Sequence, residues 1–273
     1  SGTASTAMGG VDLALWDLKG KIYRLPVYSL IGGPVRESIT CYATSDDLDW
    51  SQELGFTKFK ITNPSHYSEG DAGIRAVVAH VAQARERVGI EHDLMINPVM
   101  SYNVEFALRL LEQLRPYNLR WFEEPIVPTD TAGLAHLRRS APWVAIATGE
   151  DHHGRHAFLD LVEKRAVDIL QPDLTWGGGM TEAMKIHTIG EMAGMATIPH
   201  GGANNPFGQH FAMAAIESPM GEYWMDTDPG VPLEETIRIP GTAVPVNGKV
   251  TPSGEPGFGM EFEPSDISDW ESN

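Results

Sequence analysis

LMIN (Leu94–Asn97), RWFEEP (Arg120–Pro125), VAIATGE (Val144–Glu150), DILQPD (Asp168–Asp173) and ATIPH (Ala196–His200) decide the fold. Each is a short apolar segment ending in a residue that can bind a metal or move a proton. The intervals between them are each long enough for one helix. Parallel strands joined by helices put all their C-terminal ends on one rim, where (β/α)8 barrels keep their chemistry. Asn97, Glu123, Glu150, Asp173 and His200, far apart in sequence, are therefore expected around one pocket.

Working outward, the alternation continues on both sides. SITCYAT (38–44) and FTKFKIT (56–62) read as the first two strands, with a short helix at 47–54 between them. A polar loop, Asn63–Gly70, leads to a helix with Ile74, Val77, Val78, Val81 and Ala84 on one side. Another helix, carrying Val104, Ala107, Leu108, Leu111 and Leu114, follows the third strand. Further helices are expected at about 131–139, 155–165, 180–193 and 206–217, and an eighth strand at 222–225. Eight strands alternating with helices favour an α/β, TIM-type barrel over an open doubly wound sheet. Before it, Val11, Leu15, Leu18 and Ile22 predict a helix over 8–19, which Gly20 weakens and Pro26 closes. The expected organisation is a leading segment at 1–35, the barrel at 36–227, and a Pro- and Gly-rich tail at 228–273 packing outside it.

The 273 residues fit one barrel of about 250 residues with little to spare. A net charge of −17 argues against nucleic-acid binding, which needs clustered Lys and Arg. The single cysteine, Cys41, excludes an internal disulfide and fits a reducing, cytoplasmic setting. No apolar run approaches the ~18 residues of a membrane span, and the N-terminus has no signal-peptide pattern.

At the rim, Glu123 and Glu150 offer carboxylates and Asn97 an amide oxygen, the hard oxygen donors that Mg2+ prefers. Strand-end acids are common in barrels, so these residues can equally be a polar strand end and a helix N-terminal charge. Asp173 and His200 end adjacent strands. A carboxylate bonded to an imidazole fixes its tautomer and raises its pKa, giving a base usable near neutral pH. The competing reading is a solvated loop histidine, one of ten in the chain. Lys58 and Lys60 are two apart on strand two and so share a face. Facing the mouth they could bind a substrate carboxylate or act as a base; facing out they are surface charges.

The ordered pieces VDLALWDLKGKIYRLPVYSLIGG, FKI, WFEEP, TGE, QPDLTWGGG, PHGG and EPGFGMEF resemble the enolase superfamily. Within it they resemble the mandelate racemase subgroup, and most of all the L-rhamnonate dehydratase type of acid-sugar dehydratase. The resemblance covers nearly the whole chain. It implies a Mg2+ site at Asn97, Glu123 and Glu150, and an Asp173–His200 general base. It also implies that Glu222 hydrogen-bonds the substrate carboxylate. Lys58 and Lys60 match the strand-two Lys-x-Lys, and His152 or His153 matches a histidine near substrate. Two departures stand out. Only the last helices of the family's N-terminal α+β capping domain are present, and Asn97 stands where the family has Asp.

The implied reaction is Mg2+-dependent dehydration of a sugar acid, an aldonate such as L-rhamnonate, to a 2-keto-3-deoxy acid. His200 removes the α-proton. Racemisation or epimerisation is the alternative, with His200 on one face and Lys60 on the other. A third reading is a barrel catalytically impaired by Asn97 and the short cap. The expected partner is a small-molecule sugar acid, with specificity from loops such as Asn63–Gly70 and Gly201–Asn205. The resemblance also leans towards a homo-oligomer.

Overall fold

The computed structural model of the chain describes residues 2–262. Two helices, α1 (Gly2–Tyr23) and α2 (Val27–Leu30), come first. Then strands and helices alternate: β1 (Ile39–Thr44), α3 (Leu48–Glu53), β2 (Lys58–Thr62), α4 (Gly70–Val88), β3 (Asp93–Asn97), α5 (Val104–Leu114) and β4 (Trp121–Glu123). They continue with α6 (Thr131–Ser140), β5 (Ala145–Thr148), α7 (Arg155–Glu163), β6 (Ile169–Leu170), α8 (Gly179–Met192), β7 (Ala196–Thr197), α9 (Pro206–Ala214) and β8 (Gly221–Trp224). All eight strands pair in parallel, in the order 7-6-5-4-3-2-1-8. The ladder has a seam between β7 and β8, bridged by the Thr197 N–H donating to Glu217 O at 2.9 Å.

The sheet curls into a barrel because each strand alternates an inward and an outward residue. The inward residues fill the lumen in layers. Tyr42, Met95, Trp121, Ala147, Ile169, Ile198 and Met220 form a buried apolar plug contributed by nearly every strand. Tyr42 and Trp121 meet edge to face across it, ring centroids 5.2 Å apart. Two residues further along their strands stand Thr44, Asn97, Glu123, Gln171 and Glu222, a polar layer at the mouth. The outward residues, among them Phe59, Ile61, Leu94, Ile96 and Phe122, pack against the helices in the main core. Side-chain caps start the outer helices: Asn103 accepts from Phe106 N–H at 2.8 Å, Asp130 from Gly133 N–H at 2.8 Å and Asn205 from Gly208 N–H at 2.8 Å.

The leading helix differs from expectation in extent and in orientation. It runs through Gly20 without a break. A Cβ on Gly20 would stand 2.5 Å from the Gly257 Cα, so the glycine permits close backbone contact with the tail. The apolar stripe that predicted the helix, Val11, Leu15, Leu18 and Ile22, is more than half exposed, as is Met8. The buried side is Ser5, Gly9, Leu13 and Gly20. That small-residue side lies against α8, where Asp12 accepts from Thr181 N–H at 2.9 Å and Trp16 Nε1–H donates to the Thr181 hydroxyl at 2.8 Å.

Beyond β8 the described residues form a 3-10 turn at Leu233–Thr236 and a short strand, β9 (Lys249–Val250), antiparallel to the start of β1. The chain then returns to the leading helices. Val27 N–H donates to Gly257 O at 2.8 Å, and Phe258 N–H to Asp17 at 2.9 Å. Among the described residues no helix is long and apolar enough to cross a membrane.

Candidate active site

The polar layer at the mouth is a single hydrogen-bonded network. Lys60, on β2, is fully buried and ion-paired both to Glu123 on β4 and, at 2.6 Å, to Glu222 on β8. Glu123 is surrounded by donors. Lys60 and Asn97 Nδ2 (3.0 Å) reach Oε1, and Trp121 Nε1 (2.8 Å) and Gln171 Nε2 (2.7 Å) reach Oε2. Glu222 accepts from the Thr44 hydroxyl at 2.6 Å and from Gly201 N–H at 2.8 Å. Burial alone would raise its pKa. The nearby Lys60 and His200 charges, with the hydrogen bonds from Lys60 and Thr44, instead hold it at about 2. Burial works against the Lys60 charge too, but the two carboxylates outweigh it and push the ammonium's pKa up. Lys60 is thus a fixed cation.

Asp173 and His200 stand beside this network. His200 Nδ1 is 2.9 Å from Asp173 Oδ2. The other carboxylate oxygen accepts from Thr175 N–H (2.7 Å), the Thr175 hydroxyl (2.6 Å) and Trp176 N–H (2.8 Å), so the Asp173 carboxylate cannot rotate freely. Burial would raise the Asp173 pKa, but these bonds lower it. Trp176 also lies over the imidazole, ring centroids 5.2 Å apart. His200 Nε2 therefore faces the mouth, 3.6 Å from Glu150 Oε2. Burial would lower the His200 pKa. The bond to Asp173 and the charges of Glu222, Glu150 and Asp173 overcome it and lift the pKa to about 9. Glu150 moves the opposite way to Glu222. Burial, with Glu124 and Glu123 nearby, raises it to about 8 against the pull of His200 and Lys60.

Asn97 joins the network as a donor. Its Oδ1 accepts from Val99 N–H at 2.7 Å, which fixes the amide orientation and turns Nδ2 towards Glu123. Among the described residues no three His, Cys, Asp or Glu side chains form a metal-binding group.

Three expected residues lie elsewhere. Lys58 pairs in register with Asp93 at the start of the strands, with Nζ 2.5 Å from Asp93 Oδ2. Sharing a face with Lys60 places it one layer deeper, at the barrel's far end. His152 is buried against Phe158, ring centroids 5.8 Å apart, and His153 sits beside Gly2 of α1. No hydrogen bond links either histidine to the Asp173–His200 pair. Conversely, Thr44, Trp121, Gln171, Thr175 and Trp176 were not singled out from the sequence. For the last four the signal is period-two spacing from Glu123 and Asp173, or position in the turn after Asp173; Thr44 is marked only by ending β1.

Residues 46–266 match the family model described as enolase C-terminal domain-like, and residues 2–32 match the mandelate racemase/muconate lactonizing enzyme N-terminal domain. The chain belongs to the mandelate racemase/muconate lactonizing enzyme family. A family member from Saccharopolyspora erythraea, named L-rhamnonate dehydratase, is 38% identical over 267 residues, covering 96% of this chain and 68% of its own. A Caldivirga maquilingensis relative, provisionally named for the same activity, is 40% identical over 264 residues, covering 96% of this chain and 66% of its own. The structure of rhamnonate dehydratase from Gibberella zeae complexed with Mg superposes with a TM-score of 0.89 at 32% identity, covering 96% of this chain and 65% of that one. The chain thus spans about two thirds of the length of the relatives it matches.

Proposed function

We propose that this chain dehydrates a sugar acid to the 2-keto-3-deoxy acid. The observation that carries the reading is the Asp173–His200 pair at 2.9 Å, with its free nitrogen facing the mouth beside Glu150 and Glu222. The names of the relatives point the same way. In its neutral form, with Nε2 unprotonated, His200 would take the proton from C2. The C2–H electrons would move into the carboxylate, and the enediolate would expel the C3 hydroxyl. That oxygen would leave as water with the proton held by His200, and the enol would tautomerise to the ketone. Asp173 would keep Nδ1 protonated and the ring oriented. Glu222, braced by Lys60, Thr44 and Gly201, would line the carboxylate end of the site.

The donor set suits Mg2+, all oxygen and largely anionic. Glu150 is disfavoured in its charged form first by burial and then by Glu124 and Glu123, the situation a cation relieves. Glu123 and Glu150 would hold the ion; Asn97, which presents Nδ2 to Glu123, would have to turn its amide over to offer its oxygen. When bound, Mg2+ polarises the substrate carboxylate as a Lewis acid and so acidifies the adjacent carbon. Racemisation is disfavoured because Lys60, ion-paired to two carboxylates, has no free lone pair to serve the opposite face.

The test is a screen of aldonic and aldaric acids in deuterated water with Mg2+. It scores 2-keto acid formation and α-deuterium incorporation. Dehydration that disappears in His200→Asn supports the reading. Deuterium exchange into recovered acid with no loss of water would replace it with the racemase reading. Turnover retained in His200→Asn would move the base elsewhere.

A further inference from the structure

The small-residue side of α1 meets one turn, Thr175–Gly179, which joins Asp173 to α8. Ser5, Gly9, Asp12 and Trp16 recur at helical spacing and so share one face of α1. Gly9 packs backbone to backbone: a Cβ there would stand 2.9 Å from Thr175 O and 3.2 Å from Gly179 N. Asp12 accepts from Thr181 N–H at 2.9 Å, and a Cβ on Gly179 would meet its Oδ2 at 2.5 Å. Trp16 Nε1–H donates to the Thr181 hydroxyl at 2.8 Å. Gly10, the next residue, is exposed, and a Cβ on it would meet nothing within 4 Å.

The inner side of the same turn holds the Asp173–His200 pair. Thr175 N–H, the Thr175 hydroxyl and Trp176 N–H all end on Asp173 Oδ1, and the Trp176 indole lies over the His200 ring. The Thr175 carbonyl and the Trp176 N–H belong to one planar, trans peptide unit. Its oxygen faces Gly9, and its N–H reaches Asp173 at 2.8 Å. Displacing the oxygen therefore tilts the N–H. Gly177, Gly178 and Gly179 make the rest of the turn soft, and the last two sit at φ +114° and +84°, where glycine is at ease and other residues are not. Backbone this permissive takes its shape from what it touches, Asp173 on one side and α1 on the other.

We propose that α1 positions the general base. Gly9 and Asp12 are positioning residues: they hold the Thr175–Gly179 turn, its donors hold the Asp173 carboxylate, and Asp173 holds the His200 ring. The inference rests on the reading of His200 as the base and adds residues from the start of the chain that set its orientation. To clear an alanine methyl at residue 9, the Thr175 oxygen must recede from 2.9 Å by about 0.5 Å to reach ordinary contact. A misplacement of about 1 Å away from the chemistry can cost ~100-fold, so a loss of about tenfold is expected.

The experiment compares Gly9→Ala with Gly10→Ala. Both raise helix propensity alike, and only the first touches the turn. Two quantities are read. One is hydrogen exchange of the Thr175 and Trp176 amides in the free chain. The other is kcat and KM for deuterium exchange at C2 of L-rhamnonate by the Mg2+-loaded chain. Gly9→Ala is expected to speed both amides about tenfold, and to lower kcat about tenfold with KM held within about twofold. Gly10→Ala is expected to move none of these. Asp12→Ala covers the case in which Gly9→Ala does not fold. It removes the acceptor for Thr181 N–H and is expected to act in the same direction, while Asp12→Asn, which keeps an acceptor, recovers most of the loss. An equal loss in Gly10→Ala overturns the proposal. So does a lower melting temperature in Gly9→Ala and Asp12→Ala with amide exchange and kcat unmoved, which is all that a purely structural contact gives. If the unsubstituted chain exchanges neither L-rhamnonate nor any acid of the screen above, or if His200→Asn still exchanges one, the base reading falls. The two amides then decide by themselves whether α1 holds the turn.

Discussion

Replacing Lys60 by Met tests whether the network at the mouth is held by one buried cation. Met fills a similar volume but leaves Glu123 and Glu222, both almost wholly buried, without their shared counter-charge. Glu123 keeps its donors from Asn97, Trp121 and Gln171, and Glu222 keeps Thr44 and Gly201. The simplest relief is for one of the two carboxylates to take up a proton. From an unfolded-state pKa of about 4.3, binding that proton at pH 7 costs about 2.7 units, or ~4 kcal/mol. The figure agrees with the ~3–5 kcal/mol typical of breaking a buried pair. It should appear as a fall in melting temperature of about 8–16 °C for a chain of this size. At pH 5 the same proton costs only about 1 kcal/mol, so most of the deficit should vanish. Urea unfolding of both forms at pH 7 and pH 5, with chelator present, measures this. A deficit below about 1 kcal/mol at pH 7, or one that does not change with pH, would refute the account.

Asn97→Asp should act in opposite directions with and without metal. It puts a carboxylate oxygen where the amide now donates to Glu123, which should lower metal-free stability by about 1–3 kcal/mol. It also adds a charged ligand and should tighten Mg2+ binding by about tenfold or more. Titration calorimetry with equal affinities in both forms would show that residue 97 does not face the ion. Asp173→Asn should drop the His200 pKa well below its present value of about 9, because it removes the hydrogen bond and the charge that oppose burial. Proton NMR of the imidazole, showing an unmoved titration, would remove Asp173 from its positioning role. His210 supplies a separate acid sensitivity. Burial lowers its pKa to about 4, and in the neutral form its Nδ1 accepts from Tyr28 N–H at 3.2 Å. With an unfolded value near 6.5, its contribution is full above that pH and is lost as pH falls from about 6.5 to 4, by up to ~3 kcal/mol. His210→Gln should flatten that part of the stability profile; an identical slope would sink the assignment.

The barrel was legible because its strands are apolar segments that end in chemistry-bearing residues. Period two then fixed which side chains shared the lumen. It did not fix depth. Lys58 and Lys60 have the same parity, and only the register with Asp93 and Met95 separates the far end of the barrel from its mouth. The apolar spacing of Val11, Leu15, Leu18 and Ile22 marked a helix but not its buried side. Gly9 and Gly20 decide that through backbone contact, which hydropathy does not register. His152 and His153 follow Glu150 closely in sequence, yet the turn before α7 sends them to Phe158 and to α1. Two of the four donors around Glu123, Trp121 and Gln171, were hidden by being ordinary residues two positions from more conspicuous ones.

The seat of α1 has a consequence for synthesis. Apart from Leu25 beside Gly20 and Val27 beside Leu13, the partners on its small-residue side are encoded late: Gly179 and Thr181 in α8, then Gly257 and Phe258. At about 5–20 residues per second, the start of α8 leaves the ribosome roughly ten to forty seconds after α1. Throughout that interval the helix lacks its α8 and tail partners. Docking of α1 onto α8 and the tail is therefore a late step of folding, one that follows synthesis of every strand and helix between them.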